Sequence, residues 1–338
     1  MTADSTSRQE RLINIVRCFP QRRIVVVGDS VADQFVYGAI SRVSREAPVL
    51  ILAHEHTETV PGGAANCAAN LASLGANVSL VSVAGDDEPG RALVRKLEAA
   101  GVDCSGLIIS TTLRTTTKVR ILAGQLHSTR QQVIRIDYDG TQLDDPDLRA
   151  QLRQGVQEQT SAADAVIISD YNYGVASVDL STFARDSAIA GKIPIFVDSR
   201  FSLSDFTGYT SATPNQAEVE QLLGKQFSNE VELESAGREL REKLGYRALL
   251  ITRGSQGMML VEEGLAPVHF EAVGAREPVD VTGAGDTVMA AYSLAIACGS
   301  SFQDAARIAN HAGGLVVMKR GTASVTREEL ENSVLHSS

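Results

Sequence analysis

Short runs of β-branched and aliphatic residues recur along the chain, and each run ends in a turn or loop. The first is Ile-Val-Val-Val at residues 24–27, followed by Gly28 and Asp29. A continuous apolar run of this length is typical of a parallel strand that is buried on both faces. The pattern recurs at residues 78–83, 165–169, 194–197 and 249–252, with helical stretches at 64–74, 91–100 and 231–244 among them. This alternation predicts an α/β fold with a doubly wound, mostly parallel sheet, in which ligands bind at the carboxyl ends of the strands.

Two stretches break this alternation, at residues 35–60 and 115–136. Their polar and apolar residues alternate and no helix follows, which is typical of strands with one face in solvent. We predict that they form a small β-sheet lid beside the main sheet. Residues 1–21 are predicted to be a frayed tail followed by a short helix around residues 12–18, and residues 22–338 to be one domain that carries the lid.

Charge and hydropathy exclude several classes of protein. The 31 Lys and Arg against 41 Asp and Glu give a net charge of −10, which argues against a nucleic-acid-binding surface. The longest apolar stretch, residues 288–299, is shorter than the roughly 18 to 20 residues of a membrane helix, and the polar N-terminus lacks a secretory signal. We therefore expect a cytoplasmic protein without a membrane or nucleic-acid partner.

The glycine-rich segment at residues 279–287, Val-Asp-Val-Thr-Gly-Ala-Gly-Asp-Thr, precedes an Ala-rich helix. Gly283 and Gly285 permit close approach of a ligand, and amides at a helix N-terminus direct partial positive charge at an anion. The charge of Asp286 opposes such an anion unless this residue is a general base acting on a hydroxyl beside a transferred phosphoryl group. A helix N-cap is the alternative, but the complete Asp-x-Thr-Gly-Ala-Gly-Asp run favours the base.

Two further motifs are suited to sugar hydroxyls. Gly62 and Gly63 open a helix of small residues in which Asn66 offers a donor and an acceptor; close packing of the helix on the sheet is the alternative, and the motif alone is weak. Asp33 follows the first strand, where a carboxylate could accept hydrogen bonds from two hydroxyls or could simply occupy a turn.

Two segments are candidates for the nucleotide side. Asn215 and Glu218 share one face of a helix, where they can hold Mg²⁺ through its waters or form a capping box. Residues 252–257 contain Gly254 and Gly257 and predict a hairpin. By itself the hairpin does not indicate a nucleotide site.

The motifs at Gly62, Asn215 and Asp280, in this order, resemble those of the ribokinase-like (PfkB) sugar kinases over residues 24–330. Within that family, residues 37–38, 41–49 and 131–137 are similar to kinases of D-glycero-D-manno-heptose 7-phosphate, which supply ADP-heptose for lipopolysaccharide. The resemblance implies ATP-dependent phosphorylation of the anomeric hydroxyl of that sugar. A kinase for another sugar or sugar phosphate, and a non-catalytic sugar- or nucleotide-binding relative, are the alternatives.

The resemblance also implies a role for each matching residue. Asp286 is the base, with the amides of Gly283, Ala284, Gly285 and Asp286 as an anion hole. The sugar is bound by Asp33, Gly62, Gly63 and Asn66. The nucleotide side contains Asn215, Glu218, Thr252, Gly254, Gly257 and Asn310, with Mg²⁺ held through water by Glu218. A monovalent cation such as K⁺ is implied at carbonyls near Asp280 and Thr282.

The chain departs from the heptose kinases in two motifs. Those kinases usually read Ser-Asp-Tyr-x-Lys-Gly where this chain has Tyr173 in place of the lysine, and Asp-Pro-Lys where it has Asp198, Ser199 and Arg200. One cation is lost and another becomes Arg, which is not an equivalent phosphate ligand. The lid also carries extra residues around 124–129. These departures put the sugar substrate in doubt and leave phosphoryl transfer intact.

Five of the six Lys and Arg residues in the two lid segments of this acidic protein are candidate phosphate ligands: Arg42, Arg45, Lys118, Arg120 and Arg135. A phosphate on the acceptor sugar would explain them, and we expect Arg120 and Arg135 to bind substrate. For any single cation, a solvated lid face is the alternative.

The lid strands are too few to form a stable isolated sheet, and their apolar residues need cover. We predict a homodimer joined through the lid, with each lid placed over the neighbouring sugar site. The alternative is a monomer whose lid folds over its own site.

Overall fold

A computed structural model describes residues 3–124, 130–140, 143–274 and 277–336, with the side chains of residues 3–6 left aside. The extra lid residues at 125–129 lie outside the described residues. The helices are α1 (Ala3–Cys18), α2 (Ala64–Ser73), α3 (Glu88–Ala99), α4 (Pro146–Thr160), α5 (Val178–Gly191), α6 (Gln216–Leu223), α7 (Glu230–Leu244), α8 (Ala284–Ala297), α9 (Phe302–Val316) and α10 (Arg327–Leu335). The strands are β1 (Arg23–Gly28), β2 (Ser30–Val43), β3 (Leu50–Gly63), β4 (Asn77–Gly85), β5 (Val102–Asp103), β6 (Leu107–Ser110), β7 (Thr117–Gly124), β8 (Gln131–Tyr138), β9 (Ala165–Asp170), β10 (Ile195–Ser199), β11 (Ser211–Ala212), β12 (Ala248–Thr252), β13 (Met258–Glu262) and β14 (Val268–Phe270).

The main sheet has the strand order β14-β13-β12-β11-β10-β9-β1-β4-β5, and β6 also pairs with β4. In this order, the seven strands from β12 to β5 are parallel to one another, whereas β13 is antiparallel to both β12 and β14. Successive side chains of a strand point to opposite faces, so a strand covered on both faces must be apolar throughout. In β1, Ile24 and Val26 pack in the core on one face, and Val25 and Val27 pack in the core on the other.

Helices cover both faces of the main sheet, as the alternating sequence pattern predicts. The core on one face receives buried side chains from α1, α2, α3, α8, α9 and α10, and the core on the other face from α4, α5, α6 and α7. The doubly wound α/β fold is therefore confirmed. Across the described residues, every helix falls short of the length and apolar character that a bilayer span requires.

A second sheet of four strands, in the order β3-β2-β7-β8, forms the lid. Strands β2 and β7 are parallel, and the two outer pairs are antiparallel. The lid strands are longer than the predicted segments because β2 begins at Ser30 and β3 continues to Gly63. Only Asp29 separates β1 from β2. Asp33 therefore lies within a lid strand, paired with Val60 and Lys118, and not in a turn.

The N-terminus differs from the prediction. A frayed tail was expected before residue 12, but α1 begins at Ala3. Leu12, Ile13 and Val16 are buried in the core. The helical turns that they form serve as a nucleus, so the polar residues before them can extend the helix. Apolar periodicity does not reveal such an extension because residues 4–11 are all polar.

Candidate functional site

Two adjacent cavities open where the strands of the main sheet end. The first has a volume of about 310 Å³ and lies between the lid and the N-terminus of α8. The second has a volume of about 720 Å³ and lies between the β12–β13 hairpin and α9. Thr252, Val281 and Gly285 line both cavities, so the two meet at the start of α8.

The N-terminus of α8 carries the glycine-rich loop. Gly283 is the N-cap residue with φ of +75°, a conformation that favours glycine. A Cβ at Gly283 would also lie 2.8 Å from the Asn66 amide nitrogen, whereas a Cβ at Gly285 would have no neighbour within 4 Å. The backbone at Gly285 therefore faces open space at the junction of the cavities. Ala284 N donates to the Val281 carbonyl at 3.2 Å, which leaves the amides of Gly285 and Asp286 in the first helical turn to hold an anion.

Asp286 lies in the first turn of α8 and is buried, with 5% of its surface exposed. Its Oδ2 accepts a hydrogen bond from Asn66 Nδ2 at 2.5 Å, and its Oδ1 accepts one from the Tyr171 hydroxyl at 3.0 Å. Burial raises the pKa of Asp286 to about 6, although these two hydrogen bonds and the charge of Arg200 oppose the rise. Asp286 is thus not the N-cap of α8. It is a carboxylate poised to accept a proton near neutral pH.

Asn66 was expected to hydrogen-bond to sugar hydroxyls. In the structure its Nδ2 is committed to Asp286, and its Oδ1 accepts from Asn70 Nδ2 at 3.1 Å. Asn66 lines the first cavity, but its amide orients the carboxylate. Sequence proximity could not indicate this contact, because the two residues are 220 positions apart.

Asp33 pairs with Arg120 across the two central lid strands. Arg120 Nη1 donates to Asp33 Oδ1 at 2.5 Å, and both side chains are largely buried. Gly62 lies beside this carboxylate, since a Cβ there would be 2.6 Å from Asp33 Oδ2. Asp33, Gly62, Gly63 and Arg120 all line the first cavity.

Two other cations line the first cavity. Lys118 Nζ lies 5.7 Å and 5.6 Å from the ring centres of Tyr171 and Tyr173, and burial lowers the pKa of Lys118. Arg200 contacts the ring of Phe201 and, within the described part of the chain, forms no ion pair with a carboxylate. The guanidinium of Arg200 is therefore available to a phosphate.

The structure does not bring the other lid cations into the cavity. Arg135 is on the edge strand β8, exposed, and its guanidinium donates two hydrogen bonds to Asp137 at 2.8 Å. Arg42 and Arg45 are exposed beyond the cavity. Among the five predicted cations, Lys118 and Arg120 alone line the first cavity.

Asn215 and Glu218 form the capping box of α6, the structural alternative raised by their spacing. Glu218 N donates to Asn215 Oδ1 at 2.9 Å, and Asn215 N donates to Glu218 Oε2 at 2.8 Å. Both residues also line the first cavity, so the capping box does not remove them from the site. Burial raises the pKa of Glu218, although its hydrogen bonds with Asn215 and the charge of Arg200 oppose the rise.

Asp198 is a further cavity carboxylate that sequence reasoning assigned no role. Burial, followed by the charges of Asp286 and Glu218, raises the pKa of Asp198 well above its usual range. Asp198, Glu218 and Asp286 are three of the five carboxylates that line this cavity, and such a set suits a divalent cation. The described residues hold no preformed cluster of three His, Cys, Asp or Glu ligands, so this donor set fits an ion that keeps much of its water, as Mg²⁺ does.

The predicted hairpin is present, with β12 and β13 antiparallel and a short turn at Gly254–Gln256 between them. Thr252, Gly254, Gly257 and Asn310 line the second cavity. Asn310 Nδ2 donates to the Glu271 carbonyl at 2.7 Å, which holds the loop that walls this cavity. The cavity has room for a ligand much larger than the first cavity admits.

Asp280 fixes the loop before α8. Its carboxylate accepts from the amides of Thr282 and Gly321, both at 2.9 Å. Although burial acts in the opposite direction, these hydrogen bonds keep the pKa of Asp280 low. The Asp280 side chain is thus committed to the backbone.

Asp29 and Tyr171 are site residues that the sequence motifs did not single out. Asp29 is buried and accepts hydrogen bonds from the amides of Tyr171, Tyr173 and Val175 at 2.8 to 3.1 Å. It thereby holds the β9–α5 loop against the cavity. In the sequence, the only sign of this role is that Asp29 directly follows a buried strand. Many ordinary turn residues occupy the same kind of position.

Comparison with known proteins identifies a matching family and similar sequences. The profile of the pfkB family carbohydrate kinases matches residues 21–329. The chain is 42% identical over 316 residues to the Bifunctional protein HldE of Marinomonas sp. (strain MWYL1), covering 93% of this chain and 64% of that protein. It is 41% identical over 317 residues to the protein of the same name from Hahella chejuensis, again covering 64% of the relative. The chain thus spans less than two thirds of the length of these relatives.

Solved structures share the fold. Arabidopsis thaliana ribokinase complexed with ribose and ATP superposes with a TM-score of 0.73 at 22% identity, covering 94% of this chain and 99% of that one. Escherichia coli phosphofructokinase-2 in complex with potassium superposes with a TM-score of 0.77 at 21% identity, covering 93% and 98%. At these identities the likeness concerns the fold.

Proposed function

Because this chain belongs to the pfkB family of carbohydrate kinases, a family that transfers phosphoryl groups to sugar hydroxyls, we propose that it phosphorylates the anomeric hydroxyl of a heptose 7-phosphate with ATP and Mg²⁺. One observation carries the mechanism. The buried Asp286 carboxylate lies at the helix N-terminus where a small polar cavity meets a larger one. We assign the first cavity to the sugar phosphate and the second to the nucleotide, in a cytoplasmic step of ADP-heptose synthesis.

In this mechanism Asp286 accepts the proton of the anomeric hydroxyl as that oxygen bonds to phosphorus and the bond from phosphorus to the nucleotide oxygen breaks. The amides of Gly285 and Asp286 hold the charge on the transferred group through the α8 dipole. Asp33, fixed by Arg120, accepts hydrogen bonds from the sugar. Because the lid covers the first cavity, it also excludes water from the reaction.

Glu218 and Asp198 are the residues suited to hold Mg²⁺ through water, and the bound ion would neutralise phosphate charge. A monovalent cation near Asp280 and Thr282 would draw on backbone carbonyls, because the Asp280 side chain is committed elsewhere. Thr252, Gly254, Gly257 and Asn310 are assigned to the nucleotide.

The choice of a phosphorylated acceptor is supported by the cations of the first cavity. Lys118 and Arg200 lie in this cavity without a carboxylate hydrogen-bonded to them in the described residues. The resemblance of the lid segments to heptose 7-phosphate kinases supports the same choice. We also propose a homodimer joined through the lid. Each lid would then lie over the site of its own chain and not over the neighbouring site, because Asp33, Lys118 and Arg120 line the cavity of the same chain.

A phosphorylation screen tests the function. Heptose 7-phosphate, fructose 6-phosphate and ribose are incubated with ATP and Mg²⁺, and ³¹P NMR identifies a new anomeric phosphate. We expect efficient product from the heptose phosphate alone.

Asp286→Asn should lower turnover by about 10² to 10⁴, the usual contribution of a positioned base, while nucleotide binding persists. Asp186→Asn, a change at an exposed carboxylate, is the control. Near-normal turnover in Asp286→Asn would show that the base is another group.

A further inference from the structure

Tyr171 occupies a place in the site that the mechanism above does not use. It lies in the loop between β9 and α5, and its hydroxyl donates to Asp286 Oδ1 at 3.0 Å. Asn66 holds the other oxygen of the same carboxylate at 2.5 Å. Each carboxylate oxygen can accept two hydrogen bonds, so both retain capacity for a substrate hydroxyl.

The two donors reach the carboxylate from different parts of the fold. Asn66 is fixed by Asn70, which in turn accepts from Thr287 Oγ1 at 2.8 Å, so this side is tied back to α8 itself. Tyr171 reaches the carboxylate from the β9–α5 loop. Together the two donors hold both oxygens of the carboxyl group.

Tyr171 is itself held from three directions. Its amide donates to Asp29 Oδ2 at 2.9 Å. Its ring lies against Gly63, where a Cβ would be 3.4 Å from Tyr171 Cδ2. Lys118 of the lid covers the ring face at 5.7 Å. A side chain restrained in this way can impose an orientation on its hydrogen-bond partner.

We propose that Tyr171 is a positioning residue that aligns the Asp286 carboxylate for proton abstraction from the acceptor hydroxyl. The proposal rests on the assignment of Asp286 as the base. Loss of the hydroxyl would leave Oδ1 without its donor and free the carboxyl group to rotate. It would also disfavour the ionised form, because a donor to a carboxylate stabilises the charge.

The groups that act on Asp286 come from several elements. Burial disfavours its charge, as does the carboxylate of Asp33 from β2. The charge is favoured by Asn66 of α2, Tyr171 and Arg200. Asp198 of β10 and the buried thiol of Cys67 in α2 also face Asp286. Tyr171 can be changed to Phe without altering any other member of this set.

Tyr173 offers a matched control in the same loop. Its amide also donates to Asp29, at 3.1 Å, and its ring also contacts Lys118, at 5.6 Å. Within the described residues its hydroxyl has no hydrogen-bond partner. Tyr173→Phe therefore removes a hydroxyl from the same loop without removing a donor to Asp286.

The direct test is a ¹³C NMR titration of aspartate-labelled protein, with the Asp286 carboxyl signal assigned by its absence from Asp286→Asn. We expect the titration midpoint of Asp286 to move to higher pH in Tyr171→Phe and to stay in place in Tyr173→Phe. With heptose 7-phosphate, kcat of Tyr171→Phe should fall by about ten- to a hundredfold, the effect of one hydrogen bond to a charged group. The acid limb of its pH profile should move in the same direction as the midpoint.

An unchanged Asp286 midpoint in Tyr171→Phe, or an equal shift in Tyr173→Phe, would overturn the proposal. The titration requires no substrate, so it is decisive even if another sugar is the acceptor. Activity retained by Asp286→Asn would instead count against the proposed base and leave the titration result standing.

Discussion

At the scale of single residues, the site is built around a charge that the fold makes costly to bury. The pKa of Asp286 is about 6, against 3.8 for an ordinary aspartate, and burial is the main cause. Asp33 adds to the cost, while Asn66, Tyr171 and Arg200 reduce it. In functional sites, burial of a carboxylate lowers the stability of the folded protein and raises the pKa of the carboxyl group toward neutral pH.

This effect of burial predicts how stability depends on pH. Because the pKa of Asp286 is raised in the folded state, its contribution to stability is fully present below about pH 4 and is lost as pH rises through about 6. At 1.36 kcal/mol per pH unit, the loss above pH 6 is about 3 kcal/mol. Asp286→Asn lacks this penalty. In urea unfolding, the variant should be more stable than the wild type at pH 8, with a smaller gap at pH 5. An equal gap at both pH values would contradict this account.

The cations of the first cavity predict a second residue-scale effect. Lys118 lines the cavity, whereas Arg135 lies on the edge strand and is paired with Asp137. Lys118→Ala should raise KM for heptose 7-phosphate about tenfold or more through loss of a charge-assisted hydrogen bond. Arg135→Ala is the matched control and should change KM by less. Steady-state kinetics with phosphorylated and unphosphorylated heptose separates the outcomes, since equal losses on both sugars would argue against a phosphate contact.

At the scale of elements, the β9–α5 loop connects the main sheet to the Asp286 carboxylate. The buried carboxylate of Asp29 accepts three backbone amides from this loop. Burial raises the pKa of Asp29, and those three hydrogen bonds oppose the rise. The loop thus owes its conformation to a residue about 140 positions earlier in the chain.

Removal of this carboxylate should loosen the loop before the rest of the fold. In Asp29→Ala, three amides lose a charged acceptor, and unfolding free energy should fall by about 3 kcal/mol. Hydrogen exchange followed by mass spectrometry should show faster exchange in peptides covering residues 171–175. Asp179→Ala, at an exposed position in the next helix, should leave those peptides unchanged. Uniform acceleration across the whole protein would indicate global destabilisation only.

At the scale of the whole molecule, the outer face of the lid remains uncovered. Ile134 and Ile136 on β8 are 51% and 38% exposed, and they pair with Ile121 and Val119 of β7 on the face away from Arg120. An apolar face of this kind marks a surface that meets a partner. A second copy of the lid would cover it through a self-complementary contact.

The dimer can be tested by light scattering at micromolar concentration. We expect a mass about twice the 36.0 kDa of one chain. Ile134→Glu should shift this mass toward the monomer because it places a charge in the contact. Ile109→Glu alters a similarly exposed isoleucine on a strand outside the lid and should remain dimeric. A wild-type mass near 36 kDa with substrate present would exclude the dimer.

Local patterns in the sequence predict many elements of this molecule, but they do not predict its long-range contacts. The apolar run of β1 and the glycine loop before α8 are local, so residues 24–27 and 279–287 identify a strand and an anion-binding helix terminus. The donors to Asp286 come from Asn66 and Tyr171, 220 and 115 positions away, and no spacing rule connects them. Likewise, the isolation of Arg135 from the cavity depends on its strand lying at the edge of the lid.

The way the chain enters and leaves the first lid strands has a mechanical consequence. One residue, Asp29, joins β1 to β2, and β3 passes into α2 at Gly63 with no residue between them. Asp29 anchors Tyr171, and Gly63 begins the helix that carries Asn66. We therefore expect a tilt of the lid to turn both points from which the base is aligned. In the proposed kinase, an open lid would then also misalign the base. The connectivity of the chain itself would in this way slow the hydrolysis of ATP when no sugar is bound.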